Sequence, residues 1–247
     1  MYHPYRNGYD VLPRLSPLGD EPVFQVDQYL DQYLAAKRAV THQPYHEHDL
    51  NPLVMSTICR FMHDRLLTEH PDFKPTLDFS DIAMQIQEDL LIHQISGDDD
   101  WLAACHVCLP SHWRPEEKIG KTFQNIHAPV PGMISNKPLV RSMLKGPFYR
   151  FVWGISFGRR LNCHPDQPRD PFAGSVWVKV ERQVIYGFPE LGAVLFVVRP
   201  HFVEPDMPFL KKAVLGMTPE QRAYKHIPEP FVSWLINNEF PAPHTTP

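Results

Sequence analysis

Hydrophobic residues recur at helical spacing near the start of the chain. Val26, Leu30, Tyr33, Leu34 and Val40 predict a helix over 26–40; Val54, Ile58, Phe61, Met62 and Leu66 predict a stronger amphipathic one over 53–67. A third helix is expected over 79–95, buried through Ile82, Ile86, Leu90 and Leu91 and capped by Asp78 or Ser80. The polar run 41–51 reads as a loop. Beyond the turn Ser96-Gly97-Asp98-Asp99-Asp100 the pattern changes to short apolar or alternating runs. These predict strands over 101–109, 148–157, 176–187 and 193–200, the last two joined as a hairpin across Pro189-Glu190-Leu191-Gly192. Pro115 to Ile119 suits a single helical turn, and helices are expected over 208–215, 219–225 and 230–238. Residues 1–24 carry Pro4, Pro13, Pro17 and Pro22 without periodicity and read as an irregular surface arm docked by Tyr2, Tyr5 and Tyr9. Helices, then strands, then helices predict an α+β fold with an antiparallel sheet, as one domain over 1–247.

Composition narrows the classes of function. Of 247 residues, 24 are Lys or Arg and 28 are Asp or Glu, a net charge of -4 that argues against a nucleic-acid partner. The sequence holds no run of 18 apolar residues, so no membrane span is expected. Its start, Met1-Tyr2-His3-Pro4-Tyr5-Arg6, lacks a secretory pattern, and four cysteines do not make a disulfide scaffold, so the expected location is the cytoplasm. The 27 prolines are roughly twice average usage and are scattered, which implies many ordered irregular connections.

Five segments hold candidate chemistry. Cys105-His106-Val107-Cys108 has the spacing of a zinc half-site, but no second CxxC exists and the pair falls within an expected strand; two small apolar strand residues is the better reading. His42, His46 and His48 with Glu47 and Asp49 suit a solvated loop better than a metal cluster. Pro115-Glu116-Glu117-Lys118 is a helix start. In Asn125-Ile126-His127-Ala128-Pro129-Val130-Pro131-Gly132 two prolines stiffen the chain beside His127, whose imidazole suits either structural hydrogen bonding or metal ligation. In the strand Lys179-Val180-Glu181-Arg182-Gln183, alternation puts Lys179, Glu181 and Gln183 on one face and Val180 and Arg182 on the other. Arg182 therefore needs an anionic partner, either an acidic side chain or a ligand carboxylate or phosphate.

Several of these segments together resemble the alpha-subunit family of haem-dependent oxidative N-demethylases. Trp113-Arg114-Pro115-Glu116-Glu117-Lys118-Ile119-Gly120 is similar to its W-x-P-x-x-K-x-G stretch, and Ile126-His127-Ala128-Pro129-Val130-Pro131 to its I-H-x-P-V-P core. Val180-Glu181-Arg182-Gln183 resembles its R-x-E-R-Q strand, Gln87-Glu88-Asp89 its Q-E-D helix, Tyr2-His3-Pro4-Tyr5 its aromatic start, and Met217-Thr218-Pro219-Glu220 with Tyr224-Lys225 its C-terminal helices. Arg150-Phe151-Val152-Trp153 departs from the family's R-x-N-W by lacking the Asn. The resemblance implies a PAS-like antiparallel sheet with flanking helices that binds haem b. It also implies O₂-dependent removal of a methyl group from a small secondary amine. Electrons would come from a separate reductase subunit carrying FMN and a [2Fe-2S] centre. On that basis His127 is expected to ligate the iron, and Arg182 and Lys118 to face the propionates. Trp113 and Trp153 are expected to pack on the macrocycle, and Glu181 and Tyr186 to meet the amine. A haem-binding sensor, or an interaction protein that keeps the fold without haem, are the competing expectations.

Overall fold

The computed structural model describes residues 4–6, 8–12, 14–133 and 137–240. Among them seven strands form one antiparallel sheet in the order β1-β5-β6-β7-β3-β4-β2. The strands are β1 (Ser16–Pro17), β2 (Tyr45–Glu47), β3 (Asp89–Ser96), β4 (Asp99–His106), β5 (Phe148–Ser156), β6 (Trp177–Phe188) and β7 (Ala193–Val203). The helices are α1 (Leu30–Arg38), α2 (Pro52–Glu69), α3 (Phe79–Ala83), α4 (Phe123–His127), α5 (Lys137–Met143), α6 (Met207–Leu215), α7 (Pro219–Tyr224) and α8 (Glu229–Asn237). Two hairpins, β3–β4 and β6–β7, are joined where β3 pairs with β7, Asp89 opposite Val198 and Gln94 opposite Ala193. The α+β class and the antiparallel sheet match the sequence reading.

Alternation along the strands gives the sheet two different faces. On one, Val184, Leu195, Val197, Leu90 and Ile92 meet α2 through Val54, Ile58, Met62 and Leu66 and α3 through Phe79 and Ile82. Asn51 caps α2, its side chain accepting from the Leu53 amide at 2.9 Å, and Pro52 starts the first turn. Further along the same sheet Val178, Val180 and Trp153 are covered by α6 and α8 through Leu210, Val214, Phe231 and Leu235. The second face carries far more polar residues, and it forms the cavity described below.

The region 79–95 differs from its expected single helix. Helix α3 stops at Ala83, and Asp89 to Ser96 is a central strand. Leu90 and Ile92 are buried on one face while Leu91 and His93 turn to the other, so the run lacks the alternation that marks a half-exposed strand. Gln87-Glu88-Asp89 is accordingly not helical. These three buried polar residues hold other segments in place: Glu88 accepts from the Gln25 amide at 2.8 Å, Gln87 from Asp27 at 2.9 Å, and Asp89 from Cys108 and Leu109 at 3.0 and 2.8 Å. The polar run 41–51 also contains a strand, β2, paired with β4 from Tyr45 opposite His106 to Glu47 opposite Ala104. The N-terminal arm lies on the domain as expected. Tyr5 is fully buried and its hydroxyl accepts from the Asp206 amide at 2.8 Å; Tyr2 lies outside the described residues.

Candidate functional site

A cavity of about 600 Å³ lies over the polar face of the sheet, a size common for sites that hold small molecules and cofactors. The strand register builds its floor. Arg150, Val152 and Gly154 of β5 stand beside Gln183, Glu181 and Lys179 of β6. Ile185 of β6 stands beside Phe196 of β7, and Asp89, Leu91 and His93 of β3 complete the row. The roof is the connection from β4 to β5, including Trp113, Lys118, Phe123, Ile126, His127, Pro129, Val130 and Met133. One rim is closed by Tyr9 of the arm, by Tyr224 at the end of α7 and by Lys225 and His226 just after it.

His127 ends α4, a short helix capped by Thr122, whose hydroxyl accepts from the Asn125 amide at 3.1 Å. Its Nδ1 lies 2.8 Å from the Phe123 carbonyl oxygen, and its ring packs on Phe123 with centroids 4.1 Å apart. A carbonyl can only accept, so Nδ1 carries the proton and Nε2 keeps its lone pair. Burial, with Arg150, His93 and Lys118 nearby, pushes the imidazole pKa down to about 4, so the ring is neutral at pH 7. A second histidine adjoins it. His93 Nε2 lies 2.7 Å from Asp100 Oδ2, and that carboxylate also accepts from the Phe123 amide at 2.6 Å, tying α4 to the β3–β4 hairpin.

Among the described residues Lys118, Lys225 and Arg150, like Lys179 of the floor, line the cavity with no carboxylate in contact. Lys118 donates to the Ile126 carbonyl at 3.3 Å, and burial draws its pKa below the ordinary value. Lys225 donates to the Trp153 carbonyl at 2.7 Å. Arg150 has a buried Nε with no hydrogen-bond partner among the described residues, and burial lowers its pKa also. Glu181 interacts electrostatically with both Arg150 and Lys225, and it accepts from Gln183 Nε2 at 2.9 Å. Buried positive charge with no carboxylate in direct contact is costly, so this group has the character of a ligand site with a place for an anion. At Gly154 a Cβ would meet nothing within 4 Å, leaving open space above the middle of β5.

The cavity gathers His127, Lys118, Trp113 and Glu181 as the sequence grouped them, and it excludes two other candidates. Arg182 points to the opposite face of β6, where it donates to the carbonyls of Val23 and Pro22 at 3.2 and 2.5 Å. Backbone carbonyls, not a ligand, satisfy it, so it cannot meet a group in the cavity. Tyr186 shares that face and packs on Phe61 and Phe188, with centroids 4.2 and 5.3 Å away. Trp153 borders the cavity, but its ring stands opposite Val180 in the apolar cluster and lies 5.5 Å from Tyr5. Arg150, His93 and Lys225 were missed. Arg150 shares its face with Val152 and pairs with Gln183, so the alternation that selected Glu181 would have found it.

The remaining motifs lie elsewhere or carry no site. Cys105 and Cys108 are buried free thiols that burial pushes up to about 12. His46 and Glu47 belong to β2, while His42 stacks on His164 with centroids 4.3 Å apart. Among the described residues no group of three or more His, Cys, Asp or Glu is placed to hold a metal ion by itself.

Fold and site together define an α+β protein with a cofactor-sized cavity between one sheet face and a histidine-bearing connection. Residues 54–229 match the family described as haem-dependent oxidative N-demethylase, alpha subunit-like, and since that span is most of the chain, the protein belongs to this family. No match emerges among curated proteins. No helix among the described residues is long and apolar enough to cross a membrane.

Proposed function

We infer that the cavity holds haem b and that the protein oxidatively removes a methyl group from a small secondary amine. The observation that carries this reading is His127, a neutral, cavity-lining imidazole with Nδ1 committed to the Phe123 carbonyl, which leaves Nε2 as the nitrogen able to bind iron. The surroundings fit a haem. Among the described residues the buried Nε of Arg150 has no partner and Lys118 is held by a carbonyl; both adjoin His127 and suit the propionates, so Arg150 takes the place first expected for Arg182. Gly154 leaves room for a flat group, and Phe123, Val130, Phe196 and Ile185 supply apolar wall.

Haem iron would supply O₂ activation. For dimethylammonium the overall change consumes O₂, two electrons and two protons, and yields methylammonium, formaldehyde and water. The electrons require a reductase partner, for which a subunit with FMN and a [2Fe-2S] centre is suited. Within the chain, Glu181 is the carboxylate positioned to hold the ammonium, and Gln183 orients it. Lys225 adjoins Glu181 and is a source of protons, its pKa brought down to about 8 by burial. We read residues 1–247 as one domain serving this site.

The test is an absorption spectrum of protein made with a haem precursor, followed by amine turnover with a reductase. A Soret band that shifts on reduction and with CO, and that is lost or displaced in His127→Ala, is expected, as is formaldehyde release from dimethylamine. A haem whose spectrum is unchanged in His127→Ala would remove the ligand assignment. A colourless protein that does not take up added haemin would remove the whole reading.

A further inference from the structure

Three aromatic rings surround the ammonium of Lys225. Its Nζ lies 5.4 Å from the ring centre of Tyr9, 5.9 Å from that of Tyr224 and 6.0 Å from that of Trp153. These rings come from three separate parts of the chain, namely the N-terminal arm, the last residue of α7 and strand β5. Tyr9 also meets Trp153 edge-on, with centroids 6.2 Å apart, which sets two cage walls at a fixed angle. All four residues, and Glu181, line the same cavity. Several ring faces converging on one cation, with a carboxylate nearby, make the arrangement that recognises methylated ammonium groups. Here the cation is a side chain of the protein itself.

We propose that Tyr9, Trp153 and Tyr224, with Glu181, form a binding cage for a small methylated ammonium ion, and that Lys225 is its resident occupant in the ligand-free protein. The class of ligand rests on the proposed function; the geometry of the cage does not. An incoming methylammonium must displace Lys225, so Lys225 competes with substrate for its place. Among the described residues one hydrogen bond, to the Trp153 carbonyl, ties the ammonium down, and no carboxylate contacts it. It can therefore withdraw into the cavity without breaking an ion pair.

The charged and titratable groups facing Lys225 are Glu181 of β6, Arg150 of β5, Tyr9 of the arm, and Tyr224 and His226 beside it. Between pH 7 and 9 Lys225 is the member that changes charge, its pKa lying at about 8. Tyr9, raised to about 12 by burial, and Tyr224, also raised, stay neutral in this range, as does His226, whose pKa is lowered. Arg150 stays charged. Loss of the Lys225 charge weakens the occupant's hold on the rings, so the cage opens to an external cation as pH rises.

Tetramethylammonium is the probe, because its charge does not depend on pH and it has no proton to transfer. Its affinity for the full-length protein would be measured by calorimetry, with sodium chloride at equal ionic strength as the blank. Lys225→Ala should bind about tenfold more tightly than the parent at pH 7, and Lys225→Arg, which keeps a cation in the cage, should not. The parent should gain affinity several-fold from pH 7 to 9, and Lys225→Ala should be flat over that range. Adding Glu181→Gln to Lys225→Ala should weaken binding again. Equal affinity in the parent, Lys225→Ala and Lys225→Arg, or no binding by any of them, would overturn the proposal. If Lys225→Ala does not fold, the pH series on the parent decides: a rise supports the cage and a flat profile overturns it. Haem content is read separately. A haem protein that ignores tetramethylammonium loses the cage and keeps the proposed function; a colourless protein that binds it does the reverse.

Discussion

At the scale of single residues, three histidines tie stability to acidity. Burial lowers His106, His112 and His127 to about 4, below the value near 6.5 expected in the unfolded chain. Between those values the unfolded chain binds more protons than the folded one, so stability rises with pH through that window and falls as pH drops from about 6.5 toward 4. Guanidinium midpoints should therefore decline from pH 7 to pH 5. His106→Asn, which removes one titrating ring, should flatten the slope; an unchanged slope in this variant would remove His106 from the set. Site residues were legible from sequence where strand alternation spoke for them. Glu181 and Gln183 fall on the cavity face and Arg182 on the other, as spacing alone requires. What spacing could not say is which face is hollow, and that is why Arg182 and Tyr186 were placed in the site although both serve the packed side.

At the scale of elements, β5 offers a test of the cavity that leaves the fold alone. Gly154 sits mid-strand without positive φ, and an added Cβ meets nothing. Gly154→Leu should keep the parent's melting temperature within a few degrees while lowering haem uptake sharply, as read by Soret absorbance per protein. Gly187 of β6 is the opposite case. There a Cβ would come within 2.3 Å of the Leu144 carbonyl oxygen, so Gly187→Ala should cost about 3 kcal/mol or more, read by denaturant unfolding. Removing the α2 cap, Asn51→Ala, should cost about 1 kcal/mol. Helix α2, strands β4 to β7 and helices α6 to α8 were readable because one side of each is exposed or its ends are marked by Pro and Gly. Strand β3 was not. Its apolar residues fill both faces, and the polar ones before it, Gln87 and Glu88, are buried as anchors for residues 25–27, so neither periodicity nor polarity signalled a strand.

At the scale of the whole molecule, the N-terminal arm is a working part of the structure. Glu69 accepts from the Val23 and Phe24 amides at 3.2 and 2.8 Å, and Arg182 holds the carbonyls just before them. Further out, Tyr5 is buried against Trp153 and Tyr9 lines the cavity. Removing residues 1–12 should leave the sheet's circular dichroism largely intact, lower the melting temperature through loss of the buried Tyr5, and weaken amine binding through loss of Tyr9. A truncated protein equal to the parent in both stability and amine affinity would show the arm to be dispensable.

The pairing of β3 with β7 has a consequence for how the protein matures. Asp89 and Val198 lie roughly 100 residues apart in the chain, so this seam closes a far larger loop than either hairpin does and carries the larger entropic cost. The cavity floor straddles the seam: Leu91 and His93 stand on one hairpin, Gln183, Ile185 and Phe196 on the other. A chain with both hairpins formed but no seam between them lacks the continuous cavity floor. On the proposed function, haem would therefore be captured after the sheet has closed rather than act as the template around which it forms, and a cell short of haem would accumulate a folded, empty protein able to be charged later.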